Sequence, residues 1–120
     1  MKSPLVPISI GELLDKITIL QIKSEHTSNE YVKKELQDLT KIAQDLGVYK
    51  SEYVDDLLKV NRKLWDIEDN IRIHENRWNF DDEFIRLARN VYITNDERSR
   101  IKKRINEDTS SEYSEVKLYL

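Results

Sequence analysis

Glu68 and Arg72 stand four residues apart, with Trp65 one turn before Glu68. On a helix that spacing puts a carboxylate and a guanidinium on one side, in the order that favours an ion pair. Next to an aromatic ring, such a set can hold an anionic small molecule, because a guanidinium grips a carboxylate or phosphate through two parallel hydrogen bonds. Arg89 and Asn95 flank a second candidate turn and complete a possible ligand-binding set of Trp65, Glu68, Arg72, Arg89 and Asn95. An anionic sugar or a nucleotide is the natural ligand for such arginines. The same spacing also describes a structural seam that fixes helix register, since structural ion pairs mimic sites. On sequence alone the structural reading weighs more.

A second pattern is acidic. Glu12 and Asp15 are three residues apart, and so are Glu35 and Asp38. Carboxylates at that spacing share a helix face and can hold Mg²⁺ together with waters and phosphate oxygens. Glu35 and Asp38, followed by Ala43 and Gly47, resemble the second motif of the all-helical nucleoside-triphosphate pyrophosphohydrolases. That family carries an ExxE motif and then an ExxD motif around magnesium. The resemblance implies Glu12, Asp15, Glu35 and Asp38 as metal ligands, but Asp15 stands where the first motif has its second Glu. A capping Glu12 and solvated helix faces explain the same residues more simply. His26 and His74 have no His or Cys partner at helical spacing, and no HExxH, P-loop or GxGxxG occurs. No catalytic set is complete, so the sequence leans away from an enzyme and implies no cofactor.

The elements that must position these residues are helical. Ile10, Leu13, Leu14, Ile17 and Leu20 form one stripe of a first helix ending near Glu25, while Ile19 and Ile22 lie on the other side. A helix apolar on two sides is central or sits at an oligomer seam. Ser9 and Glu12 spell a capping box. A second helix is expected over residues 30–46, capped by Thr27 and stopped by Gly47. The longest helix, over residues 51–78, takes Ser51 as N-cap. Its stripe of Val60, Leu64, Ile67, Ile71, His74 and Trp78 has a second line beside it that includes Asn61, Trp65, Glu68 and Arg72. Those three polar residues are expected inside the apolar arc, with Glu68 and Arg72 half-buried. Asn79 or Asp81 begins a fourth helix, and a capping box at residues 94–97 opens a fifth that ends near Asn106. Residues 1–8, with Pro4 and Pro7, are extended. The tail, residues 109–120, is expected to dock, because its apolar residues would be odd in a free end.

The fold class is therefore all-α, an antiparallel helical bundle or elongated helical hairpin of four to five helices in one domain. Composition agrees. Charged residues make up 36% of the 120, with only two Gly and two Pro, which favours helices with solvated faces and short connections. There is no cysteine, so disulfides and thiolate sites are excluded. No apolar run reaches the ~20 residues of a membrane span, and the N-terminus is too short and polar for a signal peptide. These features point to the cytoplasm and away from membranes. Net charge is −3. The basic run from Arg98 to Arg104 is brief and lacks interleaved aromatics, which argues against nucleic acid and for a solvated face.

Three segments carry a resemblance: GELLDKITILQIK (residues 11–23), NRKLWDIEDNIR (61–72) and LARNVYITNDERSRIKKRIN (87–106). Together they resemble an uncharacterised family of short helical proteins of bacteria and phages, a domain of unknown function. The resemblance spares residues 25–56 and implies no activity. The function best matched to these features is a binding or interaction module that self-associates or meets a protein partner. The anionic-ligand site and the magnesium-dependent hydrolase are the alternatives.

Overall fold

A computed structural model describes residues 1–119. Among them the chain forms four helices and no strand: α1 (Ile10–Ser24), α2 (Glu30–Asp45), α3 (Ser51–Asn76) and α4 (Asp82–Asp108). Leu120, the last residue of the expected tail, lies outside the described residues.

The pairing of α3 with α4 is the frame. Tyr53 meets Asp108, Asp56 meets Arg104, Asn61 meets Arg98, and Lys63 meets Glu97. As one number rises the other falls, so the two helices are antiparallel, and they stay in register to the ring contact of His74 with Phe84. α1 lies on this hairpin and touches the other three helices, whereas α2 packs on α1. The two-sidedness of α1 is thus satisfied within the chain. The core is the meeting point of all four: Leu13, Leu14 and Ile17 of α1, Ala43 of α2, Tyr53, Leu57 and Val60 of α3, and Ile105 of α4. α1 stops at Ser24, well short of the far end of the hairpin, so the distal half of α3 and α4 is a two-helix layer.

Local signals place most helix ends, and several differ from expectation. The Ser9 hydroxyl accepts from the Glu12 N–H at 3.0 Å. The Glu12 carboxylate, however, takes Lys102 at 2.6 Å instead of closing a capping box. Asn29, not Thr27, caps α2 by accepting from the Tyr31 N–H, while Thr27 accepts from Asn29. Ser51 is the first residue of α3, not its cap, and Lys50 before it gives no side-chain cap. Asp81, rather than Asn79, caps α4, and Gly47 leaves α2 at φ +71.

The expected fifth helix does not exist, because α4 continues unbroken through residues 94–97. Leu87, Val91, Thr94, Ile101 and Ile105 lie on one side of it, and α3, which it pairs with, is only one residue shorter. The continuous packing outweighs the local capping box. At the other end, α3 stops at Asn76 and Trp78 turns outward at φ +53, a left-handed backbone unusual for a large residue. Trp78 is 82% exposed and so does not extend the apolar stripe. His74 Nδ1 lies 2.9 Å from the Asn79 carbonyl and latches that turn.

Candidate functional site

Two polar constellations lie where α1, α3 and α4 meet. The first is closed. Asn61 is buried on α3 and its amide nitrogen donates to Asp15 Oδ1 at 2.8 Å and Thr18 Oγ1 at 3.0 Å, both on α1. The Thr18 hydroxyl donates to the Asp15 carbonyl at 2.8 Å. On the α4 side Lys102 reaches Glu12, Asp15 and, in the tail, Glu115. A buried ammonium is tolerable only with such partners. One turn further, the Gly11 N–H donates to Asn106 Oδ1 at 2.7 Å, and Ile10 N–H donates to Ser111 Oγ at 3.0 Å. With Ser9 on Glu12, these bonds satisfy the first free N–H groups of α1. Gly11 is required there, because a Cβ would stand 2.7 Å from the Lys102 carbonyl.

The tail continues this closed side. Residues 111–119 run back along α4, from Ser114 beside Asn106 through Glu115 beside Lys102 to Tyr119, whose hydroxyl donates to Asp96. A hydrogen bond from Lys117, aided by the charge of Lys102, holds the Glu115 carboxyl below its usual range despite partial burial. Burial and the Asp96 bond push the Tyr119 phenol up. The tail's contacts are polar, and Val116, Leu118 and Tyr119 stay exposed.

The second constellation is open. It is a cleft of about 580 Å³ whose walls include Ile19 and Ile22 of α1, Leu64 and Trp65 of α3, and Asn95 and Arg98 of α4. Its far end is lined by Glu68, Asp69 and Arg72. Because the Asn61 nitrogen is committed to α1, its oxygen faces α4 and accepts from Arg98 Nη1 at 3.2 Å. Arg98 Nη2 donates to Asn95 Oδ1 at 2.8 Å. Among the described residues no carboxylate pairs with this guanidinium. It is oriented by two neutral amides and forms no salt bridge to any described residue. Trp65 is fixed as well, by His26 stacked at 4.7 Å with planes 13° apart.

Of the five residues expected from sequence, Trp65, Glu68, Arg72 and Asn95 come together in this cleft and Arg89 does not. With α4 unbroken, Arg89 and Asn95 are six residues apart and thus about 120° apart around the helix. Arg89 lies instead in a shallow groove on the outer side of α4 with Ile85, Arg86 and Ile93. Glu68 and Arg72 are exposed rather than half-buried and do not pair with each other among the described residues, because α1 ends before it can cover them. Arg98 is the residue that sequence reasoning missed. Its signal was the i, i+3 spacing to Asn95, which places an amide beside a guanidinium on one helix face. Glu12, Asp15, Glu35 and Asp38 do not converge. The first two meet Lys102, Glu35 meets Lys16, and Asp38 meets Lys34. Among the described residues no group of three or more His, Asp or Glu is placed to hold a metal ion, and no helix is long and apolar enough to cross a membrane.

The model of a family of unknown function, DUF6165, matches residues 4–120. The chain belongs to that family. The DUF6165 match runs through α2 as well as the three segments that carry the resemblance, so residues 25–56 are part of the family's extent. Both polar constellations lie inside it. No curated protein and no solved structure matches the chain.

Proposed function

We propose that the protein is a binding module whose working part is the α1/α3/α4 cleft, and that Arg98 receives an anionic group of a small ligand there. The observation that carries this reading is the guanidinium held by Asn61 and Asn95 with no carboxylate among the described residues paired to it. A cation oriented in advance and left unmatched costs little to reorganise when an anion arrives. The apolar walls and the fixed indole of Trp65 supply the remaining surface, as small-molecule sites commonly combine apolar lining with a few placed polar groups.

Titration of the isotopically labelled protein with a panel of phosphorylated and carboxylated metabolites tests this. Saturable shifts should cluster at Trp65, Asn95 and Arg98, and Arg98→Gln should abolish them with the fold intact. If every ligand that binds does so outside the cleft, or Arg98→Gln binds as well as the parent, the reading fails.

A second reading is interaction with another protein, including a second copy of this chain. It is supported by the apolar residues exposed at the α3–α4 turn, Trp78 and Phe80, and along α4, Ile85 and Ile93. Sedimentation velocity at micromolar concentration separates the self-association part: a concentration-independent monomer would remove it.

A further inference from the structure

The order of groups along the cleft narrows the ligand class, an inference that rests on the binding role proposed above. The antiparallel register puts Arg98 level with Asn61, at one end. Trp65 follows about 6 Å along α3, and Glu68 and Asp69 come after about 10 to 12 Å, by the rise of the helix. The sequence of chemistry is therefore a cation, an aromatic surface, and then two carboxylates. Among the described residues neither Glu68 nor Asp69 takes part in a salt bridge, so both have acceptor capacity to offer. Arg72, three and four residues beyond them, offsets part of their charge without neutralising the line of acceptors.

Two carboxylates beside the aromatic surface disfavour a second anionic group there, because like charges at short range repel, although their exposure keeps the effect modest. They favour hydroxyl donors, to which ionised carboxylates bind well. The indole has His26 on one face, which keeps its tilt constant and leaves a single surface toward the cleft. That surface suits one ring with an apolar C–H face.

We infer that the ligand is a hydroxylated ring bearing a single acidic group, a sugar phosphate or a sugar acid, with the acid on Arg98, the ring on Trp65 and its hydroxyls on Glu68 and Asp69. A nucleoside polyphosphate is disfavoured by the same carboxylates.

The test follows the indole N–H signal of Trp65 by NMR, with Trp78 at the distant α3–α4 turn as internal control. The probes are glucose 6-phosphate, glucuronate, glucose, inorganic phosphate, AMP and ATP. Glucose 6-phosphate or glucuronate should bind at least about tenfold more tightly than glucose, phosphate, AMP or ATP, and the ratio of the first two tells which acidic group is preferred. Asp69→Asn combined with Glu68→Gln should weaken the sugar and strengthen ATP. Inorganic phosphate binding as tightly as glucose 6-phosphate would overturn the ring assignment while leaving an anion site at Arg98. AMP or ATP binding more tightly would overturn the sugar class. If no probe moves Trp65 and a wider metabolite panel also leaves Arg98 unperturbed, the binding role itself falls.

Discussion

Lys102 and Arg98 are one helical turn apart on α4, and their surroundings are opposite. Lys102 is met by Glu12, Asp15 and Glu115. Arg98 is met by two amide oxygens. Asn61 connects the two regions, since its nitrogen belongs to the closed network and its oxygen to the open one. A cation surrounded by more carboxylates than it needs has no capacity left for a ligand, and its removal should damage the fold. A cation held by neutral groups contributes less to stability and is available to an anion. The contrast separates a cation already matched within the fold from one that is held only by neutral groups among the described residues.

The largest expected effect is on the closed side. Lys102→Met keeps most of the side chain's volume but strands the buried Asp15 beside a neutral group. It should destabilise the protein by about 3 kcal/mol, as removal of one partner from a buried pair does, read as a shift in the urea midpoint. A loss below ~1 kcal/mol would mean that Asn61 alone satisfies Asp15. Gly11→Ala comes next. Its Cβ would stand 2.7 Å from the Lys102 carbonyl and 2.9 Å from Asn106 Oδ1, forcing α1 from α4. The expected net cost is about 2 kcal/mol, after the ~1 kcal/mol that Ala gains over Gly in a helix. A more stable Gly11→Ala protein would refute the close approach of the two helices.

The legibility of these regions in the sequence differs for a physical reason. Helices α1, α2 and α3, the start of α4 and the cap at Ser9 were readable, because hydrophobic period and capping are local. Trp65, Glu68 and Arg72 were readable as neighbours through helical spacing on α3, whereas Asn95 was joined to them through a turn that the unbroken α4 does not contain. The closed network was not. Lys102 sits in a basic run that reads as a solvated face, and its burial depends on Glu12, Asp15 and the returning tail, all distant in sequence. Gly11 carried a hint, as a glycine inside the first turn of a strongly patterned helix. The capping box at residues 94–97 misled because a local signal cannot report that α3 is long enough to keep α4 straight. That error also placed Arg89 in the cleft.

On the open side the expectation reverses. Arg98→Gln retains a donor for one of the two amides and should change stability by less than about 1 kcal/mol, while removing the anion response of Trp65. Measuring melting temperature and ligand response on the same sample sharpens the contrast with Lys102→Met. If Arg98→Gln unfolds the protein as readily as Lys102→Met does, the two cations are both structural.

The smallest effect concerns the tail that closes the Lys102 side. The Glu115 carboxyl is held below its ordinary value of 4.5, first by the Lys117 hydrogen bond and then by the charge of Lys102. A carboxyl depressed in the folded state contributes stability that is fully present above its unfolded value and is lost as pH falls through the folded one. Both groups are well exposed and screening keeps the gain small, so the helices should stay folded while the tail loosens. Heteronuclear NOE values of residues 112–119 should fall as pH drops below 4.5, with α1 and α4 unchanged, and Glu115→Gln should reproduce the loosening at neutral pH. A tail equally rigid in acid and in Glu115→Gln would place its attachment in Ser111, Ser114 and Tyr119 instead, whose bonds to Ile10, Asn106 and Asp96 do not require a charge on Glu115.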